Sequence, residues 1–230
     1  MDFYLHAISL DAELKCINLA HSGTLNSLFT LQIFVPEANP SNNPINLSEQ
    51  ELRNCSPETV PGPASSMMTF LYTASFNRRQ GFPVTEKIEA AEKRAEVEIQ
   101  FELRRRIVSP HAPSRLSALY LVQNNEDGRM TLRSMLLSVL TKPKILKVKI
   151  INILDGSCLF RADHRWYEEY YNNPVESIID SYWSRNSFDE KIPSWEYLLE
   201  GTIGLVEIDD FEEILMYAQE QWPNRFASEL

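Results

Sequence analysis

The stretch Ser109-Pro110-His111-Ala112-Pro113-Ser114-Arg115-Leu116-Ser117-Ala118-Leu119-Tyr120-Leu121-Val122 decides how the chain is read. A long charged helical pattern runs into it and an apolar segment leaves it. Proline has no N–H to donate and pushes the preceding residue out of helical conformation, so Pro110 and Pro113 mark a boundary. Beyond them Leu116–Gln123 reads as a strand, with the small hydroxyls of Ser114 and Ser117 on either side of Arg115-Leu116. Packing alone gives a core strand little reason to hold Ser and Arg. On its residues, Ser114 ends a turn and Arg115 pairs with Glu102 or another acid. The alternative is that the hydroxyls orient a ribose or a carboxylate.

Working outward, Thr85 caps the helix upstream, and Ile88, Ala91, Ala95, Ile99 and Leu103 recur at spacings of three and four, an amphipathic stripe. Phe3–Ile8 reads as a first strand, Asp11–Ala20 as a short helix and Leu28–Val35 as a strand rich in β-branched and aromatic residues. Residues 36–66 hold Pro36, Pro40, Pro44, Pro57, Pro61 and Pro63 among Asn and Ser. They read as one long irregular loop or insertion. Met67–Phe76 is a strand or a buried helical turn. Downstream come a turn at Asp127-Gly128, a helix over Met130–Leu140, a half-exposed strand over Lys144–Ile153, and helices over Arg165–Tyr171 and Pro174–Trp183. Strands Trp195–Leu199 and Ile203–Ile208 and a closing helix Asp209–Gln221 complete the chain. Strands and helices interleave without a regular βαβ rhythm, so the expectation is α+β, in a single domain spanning 1–230.

Composition narrows the function. At 43% hydrophobic the chain can bury a sizeable core, and 22 basic against 32 acidic residues give a net charge of −10. Such a surface disfavours non-specific binding to nucleic acid or an anionic membrane. Cys16, Cys55 and Cys158 form no CxxC pair, which points to a reduced, cytoplasmic setting. No leader or apolar stretch of membrane-spanning length stands out, so no membrane partner is expected. His6, His21, His111 and His164 lack metal-ligand spacing, and glycine-rich phosphate loops are missing. No metal is expected.

Three segments are left to carry chemistry. Tyr4-Leu5-His6-Ala7-Ile8-Ser9 holds one histidine, which on its own reads as an edge-strand residue that faces solvent or makes one core hydrogen bond. Ser114 to Tyr120 holds the hydroxyls and Arg115. In Trp195-Glu196-Tyr197-Leu198-Leu199, alternation puts Glu196 on the face opposite Trp195 and Tyr197. Read plainly, Glu196 is a solvent-facing carboxylate; read functionally, it is a poorly hydrated one with strengthened electrostatics.

Together, Phe101 to Arg105, Pro113 to Tyr120, Tyr182-Trp183 and Trp195 to Leu199 resemble a bacterial family of the ADP-ribosyltransferase-like superfamily. The similar part spans residues 82–208, with a weaker match at 3–9. The resemblance implies split antiparallel β-sheets with flanking helices and NAD as substrate in the cleft between them. His6 and Ala7 match the first-strand slot, Ser114, Ser117 and Tyr120 the middle strand, and Glu196 the catalytic carboxylate, with Glu200 its rival. Tyr120, Tyr182 or Trp183 would wall the nicotinamide. The chain lacks a Ser-Thr-Ser run, and Ser194 stands where arginine-modifying members carry Glu or Gln, which argues against arginine as acceptor. The implied function is transfer of ADP-ribose to a macromolecule, protein before nucleic acid, in a toxin, effector or defence factor. The alternative is a non-enzymatic acidic binding or immunity protein.

Overall fold

The computed structural model describes residues 2–28, 30, 44–56, 66–81, 83, 85–137, 140–153 and 159–226. The fold is α+β, and among the described residues seven antiparallel strands form one sheet in the order β2-β7-β4-β1-β3-β6-β5. The strands are β1 Tyr4–Ser9, β2 Thr24–Asn26, β3 Leu119–Gln123, β4 Pro143–Ile153, β5 Leu159–Asp163, β6 Trp195–Leu199 and β7 Gly201–Leu205. The main helices are α1 Glu13–Ser22, α2 Glu49–Asn54, α3 Ser66–Gln80, α4 Glu86–Val108, α5 Glu126–Leu132, α6 Arg165–Asn172, α7 Glu176–Trp183 and α8 Ile208–Gln221.

Local chemistry explains the boundaries. Gly23, at φ 64°, ends α1 in the left-handed conformation that glycine adopts without a side-chain clash. Thr85 caps α4 as expected, its hydroxyl accepting from the Ile88 amide. Ser48 and Glu51 form a reciprocal capping box that starts α2. That helix interrupts the region expected to be one irregular loop; residues 31–43 and 57–65 lie outside the described part. So does most of the strand expected over Leu28–Val35. Its described residues Leu28 and Thr30 are helical, because the Ser27 hydroxyl accepts from the Thr30 amide and opens a helical turn. Met67–Phe76 belongs to α3. Asp127-Gly128 is no turn but part of α5, which Asn125 caps by accepting from the Gly128 amide at 2.8 Å. The helix expected over Met130–Leu140 therefore starts earlier and passes into a π-helical turn at Arg133–Leu137.

The sheet is nearly two sheets. β1 pairs with β4 along its whole length, from Tyr4–Val148 to Ser9–Pro143. With β3 it pairs only at Tyr4–Gln123 and Leu5–Val122. The halves β2-β7-β4-β1 and β3-β6-β5 thus meet at a seam of two residue pairs, then diverge. His6 sits where they part, its Nδ1–H donating to the Tyr120 carbonyl at 2.7 Å.

Alternation along the strands sorts two cores onto the two faces. Leu5, Ala7, Tyr120, Val122 and Leu198 pack with Phe101 of α4 and Tyr182 and Trp183 of α7. Ile8, Leu119, Leu121 and Leu199 pack with Cys16 and Leu19 of α1 and Ile214 and Ala218 of α8. Glu196 shares the first face and His6 the second.

Candidate active site

The site is built around a buried arginine. Residues 114–118 form a turn, not the start of a strand, closed by the Ser117 and Ala118 amides donating to the Ser114 carbonyl. The Ser114 hydroxyl accepts from the Leu116 amide and donates to Glu102 at 2.6 Å. This turn drives Arg115 inward, where it is 1% exposed. Its guanidinium meets Glu98 through Nε and Nη2 at 3.0 and 3.1 Å, Glu196 at 2.5 Å and the Tyr182 hydroxyl at 2.6 Å. The Tyr167 ring lies 4.5 Å from the guanidinium carbon, a cation–π contact. Both carboxylates are fully buried. Removing charges from water costs several kcal/mol each, so the cluster persists only because the pairing is close and hydrogen-bonded.

Glu196 is held on one oxygen only. Oε1 accepts from Arg115 and from the Tyr182 hydroxyl. Oε2 has no hydrogen-bond partner and faces Nδ1 of His164, itself unpartnered, at 3.7 Å. Burial pushes the Glu196 carboxyl up, but the Arg115 charge and His164 outweigh it and hold the group down at about 2. His164 shifts upward: burial disfavours its charge, yet the Glu168 and Glu196 carboxylates overcome that. Its Nε2 lies 3.1 Å from Glu168, whose side chain is about half exposed.

His164 also lines an open cleft of about 370 Å³ with Thr131, Ser134, Arg165, Glu168, Ile192, Pro193 and Ser194. A second cleft of about 280 Å³ shares Asp127, Thr131, Ile192 and Pro193 with it and adds Asn125, Lys191 and Trp195. Asp163, buried at the end of β5, fixes this wall. It accepts from the Phe188 and Ser194 amides and from the Arg165 side chain, and the Arg165 contacts hold its carboxyl low despite burial. The Ser194 hydroxyl closes on Thr131 at 2.7 Å. An ionised carboxylate fixed by Arg115 and Tyr182, 3.7 Å from a histidine that lines a cleft, is suited to stabilising positive charge and to moving a proton.

The family model for DUF2441, described as a protein of unknown function, matches residues 21–212. The chain belongs to the DUF2441 family. No curated protein matches it. Among the described residues of this DUF2441 chain, no helix is long and apolar enough to cross a membrane.

Of the residues expected to form the site, Glu196 and Tyr182 meet, joined by Arg115. The others do not meet there. His6 lies on the opposite face of the sheet, buried and neutral. Burial drives its pKa to about 4 against the Tyr120 carbonyl bond that favours the proton, and its Nε2 has no partner. Ala7 is core. Ser114 is spent on Glu102, Tyr120 on the Arg115 carbonyl and Trp183 on the Phe101 carbonyl. Ser117 contacts Glu200 at 3.3 Å, in a neighbouring cluster with the Ser114 amide, where burial raises the Glu200 pKa. Polar groups satisfied inside the protein have no free capacity for a cofactor, so the single cleft expected for His6, Ser117 and Glu196 does not form.

Sequence reasoning missed Glu98, Asp163, His164 and Glu168. The signals were present for three of them. Ala91, Ala95, Glu98, Glu102 and Arg105 continue the helical stripe of α4 at spacings of three and four, which turns charges toward the core. His164 and Glu168 stand one turn apart at the start of α6.

Proposed function

We propose that this DUF2441 protein transfers ADP-ribose from NAD to a macromolecular acceptor, a protein before a nucleic acid. Glu196 carries the reading: an ionised carboxylate, out of water, with Oε1 locked by Arg115 and Tyr182 and Oε2 lying 3.7 Å from Nδ1 of His164, which lines the cleft. Breaking the nicotinamide–ribose bond leaves positive charge on the ribose ring. A preorganised carboxylate in a water-poor site stabilises that charge, typically by about 3–4 kcal/mol. Arg115 and Tyr182 keep Glu196 ionised and immobile, so no reorganisation is required when the charge develops.

The two adjoining clefts add up to the size range of a small-molecule site. Trp195 offers a ring to a base and Lys191 a charge to a pyrophosphate. Free Cys16 and Cys55 suit action in a reducing cytosol, as a toxin, effector or defence factor.

A second reading has its own support. Glu196 and Arg115 are almost wholly enclosed, as in a structural ion cluster of a non-enzymatic binding protein. Nicotinamide release from NAD separates the two. The enzyme releases it and labels an acceptor, and Glu196→Gln slows release about a hundred- to thousand-fold with an unchanged near-ultraviolet circular dichroism spectrum. No release from the wild-type protein leaves the binding-protein reading standing.

A further inference from the structure

We propose that His164 is a proton-operated latch on the cleft: as an imidazolium it ties Glu168 to Glu196, and on losing its Nε2 proton it frees Glu168 and opens that nitrogen to the cleft. The latch does not depend on the NAD reading.

His164 stands between two carboxylates. Its Nε2 lies 3.1 Å from Glu168 Oε1 and its Nδ1 3.7 Å from Glu196 Oε2. A neutral imidazole has one proton for two nitrogens, so either tautomer turns a lone pair toward a carboxylate oxygen. Only the imidazolium presents an N–H to both. Buried charge points the same way. Glu98 and Glu196 outnumber Arg115 by one in the enclosed cluster, and a charged His164 balances them. Against it stands the amino end of α6, where His164 makes no side-chain cap and the partial positive charge of the helix opposes a cation. The two carboxylates outweigh that end and the cost of burial, which agrees with the upward shift of the group.

The two partners differ in their freedom to move. Glu196 is fully buried, with Oε1 fixed by Arg115 and the Tyr182 hydroxyl. The Glu168 side chain is 47% exposed and stands in the first turn of α6. When the imidazolium gives a proton to solvent, it therefore gives the one on Nε2. The proton on Nδ1 stays opposite Glu196, which has no water to turn to. Glu168 then faces a lone pair and swings into solvent. Both residues line the cleft of about 370 Å³, so its wall changes from a closed ion pair to an open imidazole nitrogen and a separate carboxylate.

The remaining charged and titratable groups nearby are Tyr167 and Arg165 of α6, Asp163 of β5, Asp127 of α5, and Arg94 of α4, which acts on Glu168. Among the described residues, Glu168 and Glu196 are the two acids that pair with the His164 ring.

Imidazole nitrogen NMR on the full-length protein, from about pH 5 to 9, tests the latch, with the His164 signals assigned by their loss in His164→Gln. The His164 midpoint should lie above 6.5, the ordinary value, and the tautomer left at high pH should carry its proton on Nδ1. Glu168→Gln, at a half-exposed position that spares the fold, should lower the midpoint by about one pH unit and leave that tautomer unchanged. Diethyl pyrocarbonate, which attacks neutral imidazole, reads the opening itself. It should label His164 above its midpoint, while His6, neutral but enclosed, resists throughout. A midpoint at or below 6.5, a high-pH proton on Nε2, or a His164 that stays unlabelled overturns the latch. None of these results bears on the NAD reading, which nicotinamide release decides.

Discussion

At the residue scale, acid sensitivity follows from two buried groups. The folded pKa of His6 is lowered to about 4, so the unfolded chain takes up a proton first as pH falls below the ordinary value of 6.5. Stability from His6 is fully present above 6.5 and is lost on the way to 4. Glu196 is lowered from 4.5 to about 2, so its contribution is lost only below 4.5. Each is worth on the order of 3 kcal/mol by linkage. His164 runs the other way, since its raised pKa stabilises at low pH and fades as pH rises through the folded value. Urea midpoints from pH 8 to 3 should show two successive losses, and His6→Gln should remove the upper one. Arg115→Met strands Glu98 and Glu196 as buried unpaired charges and should cost about 3–5 kcal/mol. Adding Glu98→Gln and Glu196→Gln should restore much of it, and equal midpoints for the single and triple variants would contradict that account. Arg115 itself was legible as an ion-pair former. Which acid it met was not, because Glu196 lies 81 positions away and the choice depends on how β6 and α4 pack.

At the element scale, periodicity carried most of the information. The bounds of β6, the end of α7 and the start of α4 follow from alternation, the 3.6-residue stripe and a capping threonine, while Pro174, expected in the first turn of α7, lies before it. Where a local cap outweighed a turn signal, the reading failed. Asp-Gly at 127–128 is a strong turn signal, yet Asn125 captures the Gly128 amide and starts a helix. Gly128 is needed there for clearance, not for an unusual backbone angle. A Cβ would sit 2.0 Å from the Gln123 carbonyl oxygen, so Gly128→Ala must push α5 off the end of β3. Overpacking of this kind costs about 1–3 kcal/mol, and calorimetry should show a fall in Tm of roughly 2–4 °C per kcal/mol. Since α5 carries Thr131 of the cleft wall, nicotinamide release should fall as well.

At the scale of the whole molecule, the α+β class was legible, but not that the strands join in one seven-stranded sheet in place of the split sheets the resemblance implied, nor which face each strand residue takes. That depends on the pairing across the seam, and it placed His6 opposite Glu196. Binding at the cleft is open to a thermodynamic test. NAD at a hundred times its Kd should stabilise the protein by about 2.7 kcal/mol, visible as a rise in Tm that Glu196→Gln diminishes. An unmoved Tm at millimolar NAD would count against the site.

The seam has a consequence for how the chain reaches this state. The half β2-β7-β4-β1 draws its strands from both ends and the middle of the sequence, and β3, β5 and β6 are threaded between them. Neither half is a contiguous stretch, and pairings such as Thr24 with Gly204 close very long loops. Loop closure of that kind must precede its reward, so refolding should be slow, in the millisecond-to-second range of sheet-dominated topologies. No cut through the gene releases one half of the sheet as a fragment that folds alone.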